Sequence, residues 1–472
     1  MESIQLKGIQ MKKIQMKRIC SKSFLLMAIL LTSVTSNGAG FEKAVLWGAK
    51  YSGVAGVAAP GIKGSDSIYY NPAGLVNSTE FGEFVFNLSQ SSTTVKGPVV
   101  PSSNVVLAGP TVSSFTYAEK KETSNNGASI IPGVTYSMKL TDSLSLGLGY
   151  YAVGGVKANY EDVDFAPRNF KAKVKSDVVI TEFATGLGYK VSESFRLGAA
   201  IRYTMTNASF NSMGYTSSAS GVAAITALEV KDIKAAQLDS VRLGAQYDLS
   251  ESVKLGFTLR TETKLNGTGK ASGKANACGA AVVSGVTNPC AAVVDLTIAE
   301  VDAKVETSLP MALGLSTEIK LAEAWKFFGE YVFTQYSKIE KVVVDGTITV
   351  GSTSAEITDI DLKWKDQHNL KLAGEYAGIS WPVRFGYVWT SQVSNTEYAR
   401  ASFTPPGAAS TYTLGTGHEF QAGSQPLEFN LAVDYTTVSG SASDTPANSL
   451  NSPKGAYEAT ALGIHTGLSY KF

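Results

Sequence analysis

Very little in this chain titrates near neutrality or holds a metal. Only three histidines occur in 472 residues, His368, His418 and His465, and only three cysteines, Cys20, Cys278 and Cys290. None of them forms a metal-ligand spacing with another. No G-x-S-x-G is present, and the pairs Gly147/Gly149, Gly186/Gly188 and Gly415/Gly417 never complete a G-x-G-x-x-G. In strands, such glycines serve close approach by other groups. Asp366 and His368 share a strand face, which a wall hydrogen bond explains better than a catalytic dyad. These absences argue against an enzyme, a metal and a cofactor. Charged residues are also scarce, at 17% against roughly 25% in average globular proteins. A formal net charge of +1 gives no electrostatic pull toward nucleic acid. Beyond the N-terminus no apolar run approaches the roughly 20 residues of a transmembrane helix.

What is abundant is Tyr (21), Phe (20) and Gly (45), in period-two patterns. Phe195, Leu197, Ala199, Ile201 and Tyr203 share one face, with Arg196, Gly198, Ala200 and Arg202 on the other. Val241–Leu249, Val253–Leu259 and Val383–Trp389 repeat the scheme. The spacing predicts about fourteen strands, near 80–95, 129–140, 143–157, 176–191, 194–209, 234–249, 252–265, 300–321, 324–341, 358–378, 381–393, 410–420, 426–438 and 457–472. Short turns such as Thr141-Asp142 and Ser250-Glu251 alternate with long polar loops, including 158–175, 210–233 and 266–299. With no helices to cover the apolar faces, this reads as an all-β transmembrane antiparallel barrel of the outer membrane. A soluble propeller gives no reason for such regular alternation of loop length.

Residues 1–38 read as a signal peptide. Basic residues from Lys7 to Lys22 precede the apolar run Phe24–Leu31, and the small residues Ser36 and Gly38 precede a cut before Ala39. Cys278 and Cys290 then share one polar loop, and in an exported protein such a pair favours a disulfide over free thiols. Residues 39–79 differ from everything after them. They are too rich in Gly and Pro for a long helix or central strand and too apolar for a linker. A barrel at 80–472 supplies a lumen for them to fill. Its lumen face carries Arg196, Arg202, Arg242, Lys254, Arg260, Lys371 and Arg384, with Asp248 and Glu375 as candidate partners. Two readings stand: a solvated or ion-paired wall, or one or two cations holding an acidic headgroup. Arg202, Arg384 and Lys371, with Phe328, are the candidate ligand contacts.

Two stretches carry a resemblance. GFEKAVLWGAKYSGVAGVAAPGIKGSDSIYYNPAGL, residues 40–75, resembles the N-terminal hatch of FadL-type outer-membrane transporters, with the Asn71-Pro72-Ala73 motif in place. WKDQHNLKLAGEY, VRFGYVWTSQ and FTPPGAASTYTLGTGHEF, within 364–420, are similar to the family's C-terminal strands and loop. The resemblance implies passive inward transport of long-chain fatty acids or aromatic hydrocarbons. It implies gating by the hatch, through Phe41 and Asn71 to Gly74, and a third-strand kink opening the wall sideways near Gly154-Gly155. The implied partners are a hydrophobic small molecule, outer-membrane lipid, and the assembly machinery that reads a strand ending in Phe472; the implied state is a monomer. An open general-diffusion porin for small hydrophilic solutes is the alternative, and a surface adhesin rests only on the long loops.

Overall fold

The computed structural model describes residues 40–472, apart from 44–46, 80–81, 100–103, 108–112, 117–120, 166–169, 219–220, 284–285, 351–352, 424 and 443–454. The expected signal peptide, residues 1–38, lies outside the described residues. Fourteen strands form the wall. They are β1 (Glu83–Pro98), β2 (Ala128–Lys139), β3 (Leu144–Phe165), β4 (Phe170–Lys190), β5 (Phe195–Ser218), β6 (Gly221–Asp248) and β7 (Val253–Arg260), then β8 (Ala312–Ala322), β9 (Trp325–Thr334), β10 (Gln367–Tyr376), β11 (Val383–Thr390), β12 (Ala408–Ala422), β13 (Gln425–Ala442) and β14 (Gly455–Lys471). Each pairs antiparallel with the next. β14 pairs back on β1 from Glu83↔Lys471 to Lys96↔Glu458, which closes the barrel.

Alternation along each strand decides what faces where. In β1, Phe84, Phe86 and Leu88 point outward and are exposed, while Asn87, Ser89 and Ser91 point inward and are buried. The same outward apolar face recurs in Leu255 and Phe257 of β7, Phe385 and Trp389 of β11, and Ile464 and Leu468 of β14. A closed sheet with an apolar exterior pairs its backbone groups between strands and can sit in hydrocarbon. No described helix is long and apolar enough to cross a membrane.

The strand count agrees with the sequence reading, but several strands run far past their expected ends. Residues 158–175 and 210–233, expected as polar loops, extend β3 to β6. The segment 266–299 is largely a hairpin, Thr263–Val283 against Val286–Leu309, whose first leg also pairs with the upper part of β6. The physical reason is an inversion of polarity. In β4, Phe170, Ala172 and Val174 point inward into an apolar cluster while Lys171, Lys173 and Lys175 alternate with them. Above the lipid the exterior must be polar and the interior apolar, so the pattern loses its membrane-facing look.

Candidate functional site

The Gly-rich stretch folds as three short pieces, α1 (Ala49–Ser52), α2 (Ser67–Tyr70) and a 3-10 turn over Pro72–Asn77. Asn71 organises the last of these. Its Oδ1 accepts from the Ala73 N–H at 3.1 Å, and Pro72 takes the first helical position, where a missing N–H costs nothing. Its Nδ2 donates to the carbonyls of Ala59 in the hatch and Ala245 in β6, each at 3.0 Å, and Phe257 in β7 at 3.4 Å. One buried side chain thus joins a hatch turn to two wall strands.

The facing wall is furrowed. Gly188 of β4, Gly198 of β5 and Gly244 of β6 stand opposite one another in register. A Cβ on Gly198 would fall on main-chain atoms of Pro72 and Ala73, and one on Gly244 on Asn71 Oδ1. Leu75 fills the space at Gly147, Ile68 that at Gly186, and Gly53 lies against Gly415. Gly417 makes room for Asn430 of the wall instead. On the opposite side Ala49 N–H donates to Asn87 of β1 at 3.0 Å. The hatch therefore touches the wall all round, and an open porin lumen is not favoured.

The seven lumen cations are all committed to carboxylates. Arg202 and Arg242 share the fully buried Glu182; Arg196 meets Asp248 at 2.5 Å and Lys254 meets Glu318 at 3.4 Å. Lys371 meets Glu330 at 2.8 Å and Arg384 meets Glu375 at 2.7 Å. Arg260 pairs with Glu42 of the hatch and also donates to the Pro310 carbonyl. Arg242 reaches further, donating to Ile68 O and Tyr151 Oη at 3.1 Å each and lying over the Tyr69 ring. Phe328 packs against a buried cluster of Val54, Ala55 and Val57 of the hatch with Ala373 and Val388 of the wall.

The first described hatch residues form a strap. The Phe41 ring lies 5.0 Å from that of Trp364. Its carbonyl accepts from the Gly155 N–H of β3 at 2.7 Å, and a Cβ on Gly154 would strike the same carbonyl. Glu42 holds Arg260, and its own N–H donates to the Tyr336 hydroxyl at 3.2 Å. Lys43 Nζ lies 3.0 Å from Asp434, whose second oxygen meets His465 Nε2 at 2.8 Å. Ser89 Oγ completes that chain at 2.7 Å from His465 Nδ1.

Where the strap meets β3, the wall is incomplete. The β2–β3 ladder runs from Lys139↔Ser145 to Val134↔Tyr150 and stops. Leu140 N–H donates to Leu144 O, so even-numbered residues of β2 bond toward β3. The next even position is Pro132, which has no N–H to give to Ala152 across the gap. β3 then bulges between Ala152 and Gly154, and residues from Tyr151 to Val156 are buried without alternation. Contact resumes where Asn125 N–H donates to Asn159 O at 2.8 Å and Asn126 Nδ2 to Lys157 O at 3.1 Å. A window without ladder bonds lies between.

Phe41 also faces a cavity of about 40 Å³. Ile180, Phe210, Ile233, Val305 and Phe403 line it with Phe41, and among its fourteen lining residues only Thr206 and Thr307 carry polar side chains. Arg202, Arg384, Lys371 and Phe328 do not line it. Sequence reasoning missed Pro132, Tyr336 and Phe403, whose roles depend on partners far along the chain. Cys278 and Cys290 have side chains outside the described residues; the backbone register sets Cys278 opposite Val293.

One hatch acid is tuned by this setting. Asp66 is buried, accepts from Thr135 Oγ1 at 2.8 Å, and lies near Glu83. Burial raises its pKa from 3.8 to about 7 against the lowering effect of the Thr135 bond. A raised folded-state pKa stabilises the docked hatch fully below the unfolded value and loses that contribution as pH climbs through about 7. The docked hatch should weaken by about 3 kcal/mol between about pH 5 and about pH 8. Hydrogen exchange of hatch peptides at the two pH values checks this, and Asp66→Asn should remove most of the difference.

Comparison with known proteins agrees with this architecture. The family model for outer membrane protein transport proteins (OMPP1/FadL/TodX) matches residues 32–472. A putative outer membrane protein of Neisseria meningitidis serogroup B is 23% identical over 436 residues, covering 86% of this chain and 89% of that one. A FadL homologue of Pseudomonas aeruginosa superposes with a TM-score of 0.67 at 16% identity, over 92% of this chain and 99% of that one. The Ralstonia pickettii toluene transporter TbuX gives 0.65 at 15% identity, over 91% and 99%. The Pseudomonas putida toluene transporter TodX gives 0.62 at 14%, over 93% and 98%. The solved structures establish the fold, and the family model covers nearly the whole chain: this protein belongs to the OMPP1/FadL/TodX family of outer membrane transport proteins.

Proposed function

We propose that this barrel carries hydrophobic molecules inward across the outer membrane and releases them sideways through the β2–β3 window. The observation that carries the reading is the double engagement of Phe41. Its ring lines the apolar cavity while its carbonyl holds Gly155 at the edge of the window. A cavity of about 40 Å³ cannot admit a ring, since benzene occupies an engineered apolar site of roughly 150 Å³. A ligand entering from outside must displace a lining group, and displacing Phe41 pulls on the bond that holds β3 inward. Each methylene transferred from water to such a site contributes about 0.8 kcal/mol, enough to drive a modest population shift without any other energy source. Lateral exit spares the ligand a lumen lined with ion pairs.

The test is uptake of radiolabelled oleic acid and toluene by cells expressing the chain in a background without other transporters of this type. Gly154→Val should abolish uptake, because its side chain expels the Phe41 carbonyl from its seat, while the barrel still assembles and shifts on heating in gels. Normal uptake by that variant would sink the gating scheme. The nearby toluene transporters and FadL homologue favour both probes equally. The same reading makes a single closed barrel sufficient, with bilayer lipid receiving the ligand. It also makes the exposed Phe472, whose N–H donates to Gly82 O at 2.9 Å, the mark read during assembly.

A further inference from the structure

The window between β2 and β3 has an upper edge as well as a lower one, and one side chain holds it. β1 and β2 are paired as far as Ser92↔Ala128, where β2 begins. Just before β2 the chain is fastened to β1: Ser124 N–H donates to Val95 O, and Val95 N–H donates to Ser124 Oγ, both at 2.8 Å. Asn126 follows and is buried. Its Nδ2 donates to Thr93 O of β1 at 3.0 Å and to Lys157 O of β3 at 3.1 Å. Its Oδ1 accepts from Asn159 N–H of β3 at 2.8 Å. Both donor hydrogens and the acceptor oxygen of the carboxamide are thus used, and together they tie β1 to β3 beyond the end of β2.

The height of this tie matters. Below it, β2 turns Ile130, Pro132 and Val134 outward, an apolar exterior. Above it, the exposed Lys96 and Glu458 face each other in register across β1 and β14. The tie therefore sits where the exterior changes from apolar to charged. From Tyr150, the last ladder residue, to Lys157, β3 runs about 23 Å at about 3.3 Å per residue without a ladder bond to β2. We infer that the Asn126 carboxamide is a positioning group for release: it sets the upper edge of the window and so limits the bulk of the hydrophobic molecule that can leave sideways. This rests on the transport reading above and adds a size filter to it. In that reading cargo displaces the Phe41 strap from the middle of the span, whereas Asn126 belongs to the wall and stays in place. Without its carboxamide, the Asn125 N–H on Asn159 O and the Tyr160 hydroxyl on Val95 O remain. They keep the barrel closed but leave Lys157 and the strand below it free to move.

Initial uptake rates of naphthalene and pyrene test this, in cells expressing the full chain in the same transporter-free background and corrected for cells without it. The two probes are rigid and apolar and differ in bulk. Asn126→Ala should raise the pyrene-to-naphthalene rate ratio roughly fivefold, the worth of about one net hydrogen bond. Asn126→Asp should raise it too, because a carboxylate still accepts from Asn159 N–H but has neither donor. Asn125→Ala removes an exposed side chain, keeps the backbone bond to Asn159 and should leave the ratio at its wild-type value. A loss of folded protein alone would lower both rates together and leave the ratio where it was. Hydrogen exchange of the peptide containing Asn159 should quicken in Asn126→Ala, which reports that the tie has been cut. A wild-type ratio in that variant, or unaltered exchange at Asn159, would overturn the inference. Absence of uptake of both probes by the wild-type chain would instead remove the transport reading beneath it.

Discussion

Valine at both Gly198 and Gly244 should turn a nearly silent barrel into a conducting one. The two glycines face each other across β5 and β6, and the Asn71-Pro72-Ala73 turn occupies the space their side chains would need. At Gly198 the obstructing atoms are hatch backbone, which cannot swing aside as a side-chain tip does; at Gly244 they are the Asn71 carboxamide and the Pro72 ring. Overpacking of this kind costs about 1–3 kcal/mol per site. Two sites give about 2–6 kcal/mol, enough to move a docked hatch to a substantially undocked population. Single-channel recording in planar bilayers should show the time-averaged conductance rising by roughly tenfold or more. Gly329→Ala is the matched control, because its nearest contact would be an ordinary 3.7 Å to Thr317. Unaltered conductance in the double variant would mean that the furrow does not seat the hatch.

The largest stability loss is expected from Glu182→Ala. Glu182 is the shared partner of two guanidinium groups, Arg202 and Arg242, and all three are buried in the wall. Removing a single partner from a buried ion pair typically costs about 3–5 kcal/mol, because the remaining charge stays in low dielectric. Here one substitution strands two charges at once. Arg202 would keep only Ser240 and Thr263, at 3.1 and 3.3 Å. Arg242 would keep the Ile68 carbonyl and the Tyr151 hydroxyl but lose the carboxylate that neutralises it. The temperature at which the folded band disappears in gels should fall clearly. Pairing Glu182→Leu with Arg202→Leu should restore part of the loss. An unchanged transition in Glu182→Ala would show that solvent reaches the cluster.

The barrel was legible in the sequence because lipid imposes a strict alternation. Phe84, Phe86 and Leu88 against Asn87, Ser89 and Ser91 carry that alternation unmistakably. Its upper half was not legible, because Lys171, Lys173 and Lys175 against Ala172 and Val174 look like a polar loop once the membrane no longer demands an apolar exterior. Composition marks residues 39–79 as a segment that needs burial and the strand glycines as points of close approach, while the hatch itself is what the resemblance implies. Partnerships were not visible. Glu42 finds Arg260 and Lys43 finds Asp434, each across hundreds of residues, and no local pattern announces either pair. A sideways opening near Gly154-Gly155 is what the family resemblance implies, and no local pattern shows it. The missing donor that ends the ladder is a proline one strand earlier, and only the register reveals it.

The long strands have a consequence for where capture takes place. β6 has 28 residues, which at about 3.3 Å each and a tilt near 40° rise roughly 70 Å. The apolar band of such barrels is only about 25 Å tall. More than half of β6 therefore stands clear of hydrocarbon as one side of a chimney built from β3 to β6 and the 263–309 hairpin, apolar on its inward face. A greasy molecule arriving from water meets this chimney before it meets any lipid. Height, rather than a mobile loop, then sets how far from the bilayer the protein can collect its cargo.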